Sequence, residues 1–303
     1  MGVALRSVSP AADVLFQTSD RTTGLPISAL CADGPLAELT RTDAAQVAVV
    51  VTSMAAAVVL EEQLGGRPEV LAVAGHSVGE LAAMWWAGAL DTETALHLVH
   101  ERGRLMARDS AACDGSMAAI LGLDDATLDS ICATASAKSA GSVQVANLNA
   151  PGQVVLSGDR AALAAASELA KGAGARRVLP LTVGGPFHSV YMEQAARDFR
   201  NIVASVNIKK PTTPIVLNTS AEPTTDPDLL REELSSQITS PVRWEASLQK
   251  LADMGSDQFL ELGPGQVLTG LVRRTVAAAA ATAAGTPESL QSARHDLGLA
   301  RLP

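Results

Sequence analysis

The five residues Gly75-His76-Ser77-Val78-Gly79 constrain this chain more than any other stretch. They stand between a short apolar run, EVLAVA at residues 69–74, and a segment from Val78 to about Ala87 that reads as a helix. GxSxG between a strand and a helix is the nucleophile elbow, whose glycines let the backbone turn sharply and keep side chains clear. The Ser77 hydroxyl then projects into a cleft, and the N-terminus of the helix points backbone N–H groups at a developing oxyanion. The motif therefore predicts an α/β fold with a serine nucleophile at a strand end.

Composition narrows the setting. The chain has 303 residues, enough for two domains and a sizeable core. Hydrophobic residues make up 47% and aromatic ones 3%, so the core is built from Ala, Val, Leu and Ile, and disorder is excluded. A net charge of −9 with few stacking platforms argues against nucleic-acid binding. Cys31, Cys113 and Cys132 are far apart and form no CxxC pair, which fits a reducing compartment better than a disulfide framework. The apolar run at residues 46–60 is too short and too polar at its edges for a membrane span, and residues 1–10 carry no secretory signal. A soluble, cytoplasmic protein is expected.

Along the chain, residues 43–63 carry Ala, Val, Met and Leu on nearly every face and predict a largely buried helix ended by Gly65-Gly66. Residues 69–74, bounded by Pro68 and Gly75, read as a buried strand. Asp91 is placed to cap a helix running to about Ala112, with Glu93 in its first turn. Residues 116–183 then read strand, helix, strand, strand, helix, strand, the β-α-β-β-α-β order of ferredoxin-like units. This predicts a small domain over 115–184 inserted into a large discontinuous domain, 1–114 with 185–303. PIVLN at 214–218 and QFLELG at 258–263 read as further strands of the large domain, and the alanine-rich stretch 276–284 as helix or linker.

A serine nucleophile needs a base. Of five histidines, His97 and His100 lie on a helix beside Glu101 and read as a solvated face. His295 is in the tail, and His76 is too close to the nucleophile to swing round. His188 follows the small domain at a chain crossing, where it is either the base or a packed loop histidine. Gly172-x-Gly174 and Gly263-x-Gly265 lack the dinucleotide fingerprint, and no metal-ligand cluster is visible.

Six segments in order and spacing then carry a resemblance: VAGHSVGELAA (73–83), ERGRLM (101–106), ANLNAPGQVVLSG (146–158), GGPFHS (184–189), QITSPVRW (237–244) and ELGPGQVLTGL (261–271). Together they resemble the malonyl-CoA:acyl-carrier-protein transacylases, a family that includes acyltransferase domains of polyketide synthases. The resemblance implies an α/β-hydrolase-like core with a parallel sheet plus an inserted ferredoxin-like domain. It also implies transfer of malonyl from CoA to an acyl carrier protein, with malonyl-CoA as substrate, no metal or other cofactor, and a monomeric enzyme.

Residue by residue, the resemblance makes Ser77 the acylated nucleophile and His188 the general base, oriented by the backbone carbonyl of Gln237. Arg102 matches the arginine that pairs with the malonyl carboxylate, a role suited to a planar guanidinium. Without the family, Arg102 reads as a helix-surface residue paired with Glu101 or Asp109. Gln46 matches a polar residue of the acyl pocket and Asn147 the first asparagine of an NxN segment. Val78 and Phe187 match malonyl-selecting members, Phe187 crowding the carbon that bears a methyl in methylmalonyl. The exposed-looking pairs Arg176-Arg177, Lys209-Lys210 and Arg273-Arg274 are candidates for docking an acidic carrier.

One departure stands out. Family members begin with a strand running into a Phe-Pro-Gly-Gln-Gly-type loop that supplies half of the oxyanion hole, and this sequence contains no such motif. Losing one donor there costs about 10²–10³ in rate, so Met1 is expected to be an internal methionine of a protein that extends upstream. Two other readings remain open: a GxSxG esterase or thioesterase, and a truncated, inactive acyl-CoA-binding relative.

Overall fold

In the computed structural model, which describes residues 1–296 and 298, four helices open the chain. They are α1 (Val3–Val8), α2 (Pro10–Thr23), α3 (Ile27–Asp33) and α4 (Leu36–Leu39). Ser9 caps α2 by accepting the Ala12 N–H at 3.0 Å, and Pro10 takes the first helical position, where its missing N–H is harmless. Helix α5 (Thr42–Leu64) runs through the core with apolar residues on every side, as its sequence predicts. By length and composition alone it is apolar enough to cross a membrane, yet most of it is buried inside the protein.

Strand β1 (Val73–Ala74) leads through the elbow into α6 (Gly79–Trp86), and Asp91 caps α7 (Thr92–Ala111) through the Thr94 N–H at 2.8 Å. The strand expected over 69–74 is thus shortened to its last two residues. Glu69, Val70 and Leu71 lie exposed ahead of it, because only Val73 and Ala74 find a partner strand.

The next segment follows the expected order: β2 (Gly115–Leu121), α8 (Asp125–Ala137), β3 (Val143–Ala150), β4 (Gln153–Asp159), α9 (Arg160–Gly172) and β5 (Arg177–Pro180). Its four strands form one antiparallel sheet in the order β3-β4-β2-β5. Ile120, Leu128, Val154, Leu156 and Ala162 pack there in a hydrophobic cluster of their own, separate from the larger one around α5, α7 and the C-terminal helices.

The chain returns through a 3-10 turn (Val190–Met192) to α10 (Glu193–Ser205), β6 (Ile215–Val216), β7 (Pro223–Thr224), α11 (Pro227–Ser236) and α12 (Trp244–Asp253). It ends with β8 (Gln258–Leu262), α13 (Val267–Thr275), β9 (Ala280–Ala284) and α14 (Pro287–Asp296). β6 lies parallel to β1 and antiparallel to β7. β8 pairs parallel with β9 in a separate two-stranded sheet, so the strands of 214–218 and 258–263 do not share one sheet among the described residues. The alanine-rich stretch expected as helix or linker contains strand β9. Alanine's helix preference is weak enough for tertiary pairing to override it, and Ala281 and Ala284 are buried against their neighbours.

The result is a mixed α/β fold. The scarcity of aromatics is met by aliphatic packing, with Phe16 and Phe199 fully buried in the large cluster. Each such side chain contributes about 1.5–3 kcal/mol relative to exposure.

Candidate active site

The site begins where two neighbouring parallel strands end. Ser77 follows β1 and Asn218 follows β6, so strand pairing brings them together. The Ser77 N–H donates to Asn218 Oδ1 at 2.7 Å. Ser77 sits at φ 51°, the left-handed region that costs a non-glycine residue about 1–3 kcal/mol and persists only where its surroundings impose it. Gly75 makes the turn possible, since a Cβ there would overlap the Gly79 carbonyl and the Glu80 amide. A Cβ on Gly79 would meet open space, so only the first motif glycine is demanded by close packing.

His188 reaches the same point from the loop after β5, itself at φ 55°. Its Nε2 lies 2.7 Å from Ser77 Oγ. Its Nδ1 faces two backbone carbonyls, Gln237 at 3.0 Å and Ser240 at 3.1 Å, and donates to them, which leaves Nε2 as an acceptor toward the serine hydroxyl. Burial above all, then the Arg102 cation, pushes the His188 pKa down to about 3. The ring is therefore neutral at physiological pH.

Arg102 projects from α7 into this cluster and is 2% exposed. Its Nη2 donates to Ser77 Oγ at 3.0 Å and to Gln237 Oε1 at 2.8 Å, and Nη1 donates to Gln46 Oε1. Burial lowers its pKa to about 10, against the pull of Glu80, so it remains a cation. The surface pairing with Glu101 or Asp109 is not what forms: Glu101 binds Arg104, and Asp109 binds Arg108 and the Ala195 N–H. A sequence signal for this exists. Arg102 falls on the same helical stripe as Leu98, Val99, Leu105 and Met106, all buried.

The other candidates divide. Gln46, on α5, is buried and also donates from Nε2 to the Met106 sulfur at 3.5 Å. Val78 packs on the large cluster, and Phe187 touches both that cluster and the small group of Met117, Ala146 and Val155, so it bridges the two clusters. Asn147 is buried in β3 and bridges by its backbone to Val242. The second asparagine of the segment, Asn149, is the one that reaches the elbow, its Oδ1 taking the His76 ring at 2.8 Å. His76 also packs edge-on to Trp244 with centroids 5.3 Å apart. His97 is exposed, and no group of three or more His, Cys, Asp or Glu able to hold a metal occurs among the described residues. The three basic pairs are exposed, and Arg274 reaches across to Gln153 on β4.

Sequence reasoning missed Asn218, Glu80, Glu233 and the Ser240 carbonyl. Glu80 and Glu233 are buried carboxyls beneath the nucleophile. Burial, then the neighbouring Glu233 charge, drives the Glu80 carboxyl well above its ordinary range, and burial raises Glu233 as well. Glu80 in the first turn of α6 reads in sequence as a favourable helix-dipole charge. Only its position within an otherwise apolar segment signals an inward role.

Set together, these groups are a serine hydroxyl, a neutral imidazole and a guanidinium that meet at one oxygen, an arrangement suited to acyl transfer from an anionic acyl group. A family model described as the acyl transferase domain matches residues 1–296. The malonyl CoA-acyl carrier protein transacylase of Bacillus subtilis (strain 168) is 41% identical over 300 residues, 98% of this chain and 92% of that protein. The solved acyl-carrier-protein-S-malonyltransferase from Bartonella henselae matches with a TM-score of 0.93 at 36% identity, covering 98% of this chain and 95% of that one. A structure of a type II PKS acyl-carrier protein in complex with its malonyl-transacylase matches with a TM-score of 0.92 at 33% identity, covering 98% and 94%.

Proposed function

Because the chain belongs to the acyl transferase family, alongside the malonyl CoA-acyl carrier protein transacylases, we propose that it moves a malonyl group from CoA to an acyl carrier protein. The observation that carries this reading is the meeting of His188 Nε2 and Arg102 Nη2 at Ser77 Oγ, at 2.7 and 3.0 Å. It supplies a base for the nucleophile and a cation for the substrate carboxylate at one point.

His188 Nε2 takes the Ser77 proton as Oγ attacks the thioester carbon. The C–S bond breaks, and the proton passes from His188 to the departing CoA thiolate. In the second half the phosphopantetheine thiol gives its proton to His188 and attacks the acyl-serine ester, and the proton returns to Ser77 Oγ. The Gln237 and Ser240 carbonyls hold the imidazolium formed in each half, the role an aspartate has in a triad. The Val78 amide, next after the nucleophile and at the start of α6, faces the developing oxyanion. Arg102 exchanges its neutral partners for the malonyl carboxylate, Gln46 lines that pocket and Phe187 restricts its α-carbon. Nothing in this sequence of steps calls on a metal or redox group. Asn147 supports the cleft from β3.

The same reading covers architecture and setting. Residues 115–184 are taken as a ferredoxin-like insert in an α/β-hydrolase-like domain made of 1–114 and 185–303, supported by the separate hydrophobic cluster and the strand order of the insert. The enzyme is taken as a monomer, and a cytoplasmic setting fits its three free cysteines. The test is incubation with labelled malonyl-CoA and a phosphopantetheinylated carrier protein. Label is expected on the carrier, whereas release of free malonate at a faster rate would make the protein a thioesterase.

A further inference from the structure

Beneath the nucleophile, Glu80 accepts hydrogen bonds at both ends of its carboxyl group. Oε1 takes the Asn218 N–H and the Asn218 side-chain NH2, each at 3.0 Å, and Oε2 takes the NH2 of Gln237. The far ends of those two carboxamides bear on the reacting groups. Asn218 Oδ1 holds the Ser77 N–H at 2.7 Å, and Gln237 Oε1 holds Arg102 Nη2 at 2.8 Å.

A carboxamide turned by half a revolution keeps its shape and exchanges its donor and acceptor. Turned so, Asn218 would set an NH2 against the Ser77 N–H, and Gln237 would set one against the Arg102 guanidinium. We propose that Glu80 is a positioning residue for acyl transfer, its fully buried acceptor carboxyl fixing which way Asn218 and Gln237 face and thereby setting the nucleophile's backbone and the carboxylate-binding arginine together. The Gly75 carbonyl, accepting from Asn218 Nδ2 at 2.7 Å, and the Ser77 carbonyl, accepting from Gln237 Nε2 at 2.9 Å, favour the same orientation. Glu80 adds a carboxyl oxygen as acceptor to each.

Burial, then the neighbouring Glu233 charge, raises the Glu80 carboxyl, and burial raises Glu233, so the two resist ionising together. Glu233 is anchored on its own side by the Thr219 N–H at 3.0 Å and the Thr219 hydroxyl.

The substitution Glu80→Gln discriminates a polar role from space filling. It preserves volume, yet a glutamine amide faces a donor whichever way it turns, because both oxygens of Glu80 accept from protein donors. The proposal rests on the reading of Ser77 as a nucleophile, and its readout is chosen to be independent of the acyl group: the rate at which a fluorophosphonate labels Ser77. Glu80→Gln is expected to retain the parent's near-ultraviolet circular dichroism and to label about 10-fold more slowly, within the range that small misplacements cost. Labelling at the parent rate in the folded variant would overturn the proposal.

Gln237→Met cuts the second link while leaving Glu80 in place, and decides the matter if Glu80→Gln does not fold. Its malonyl-to-acetyl acylation ratio is expected to fall about 10-fold, and an unchanged ratio would also overturn the proposal. If the parent is labelled by fluorophosphonate but takes no malonyl group, the malonyl-transfer reading fails and the Glu80 assignment is still judged on the labelling rates.

Discussion

Replacing Arg102 with methionine removes the guanidinium while keeping much of its apolar stem. In the structure all its bonds go to uncharged oxygens: Gln46, Gln237 and the Ser77 hydroxyl. A malonyl carboxylate that takes two of these N–H groups makes bonds charged on both sides, worth about 1.5–3 kcal/mol each. At the lower end two such bonds are worth about 3 kcal/mol, on the order of 10²-fold in kcat/KM. Acetyl-CoA has no carboxylate and loses none of it. Single-turnover acylation of Ser77 by malonyl-CoA and by acetyl-CoA, followed by intact mass, measures both. The malonyl-to-acetyl ratio is expected to fall on the order of 10²-fold, with Arg102→Lys between parent and Arg102→Met because one of the two parallel bonds survives. Equal losses for both donors would refute the carboxylate clamp, since Arg102 would then act only on Ser77 Oγ.

Other consequences follow from the same geometry. His188 is held near pKa 3 by burial and by Arg102, so the acid limb of kcat/KM is expected well below 6.5, and Arg102→Met is expected to move it upward. The unfolded chain binds that proton near 6.5 and the folded one near 3, so this histidine's contribution to stability is present above pH 6.5 and is lost as pH falls, which urea unfolding at several pH values measures. Gly75→Ala forces a Cβ into the backbone of Gly79 and Glu80 and is expected to cost about 1–3 kcal/mol in urea unfolding, more than Gly79→Ala, whose Cβ meets open space. Phe187→Leu is expected to raise acylation by methylmalonyl-CoA relative to malonyl-CoA in the same single-turnover assay.

What could be read from sequence alone was whatever depended on neighbours along the chain. The elbow is such a case, because strand, turn and helix lie within about fifteen residues, and so are the alternating elements between Gly115 and Pro180. The apolar stripe of α7 held a signal that the surface reading of Arg102 passed over, since Arg102 sits on that stripe while Arg104 sits off it. The strand order around β1 and β6 was not, and with it Asn218, whose contact with Ser77 exists only because two distant strands pair. Strand β9 was hidden for a similar reason: five residues of alanine and threonine carry no strand signal until β8 is beside them. Glu80 and Glu233 were invisible as a pair, because each alone has an ordinary place in a helix and only the fold sets one against the other.

The central claim is that Ser77 carries the acyl group in transit. Peptide mapping by mass spectrometry after brief exposure to malonyl-CoA tests it directly. A malonyl ester is expected on Ser77, lost on addition of a phosphopantetheinylated carrier protein, and missing from Ser77→Ala. Undiminished malonyl transfer by folded Ser77→Ala, or an ester on another residue, would contradict the account.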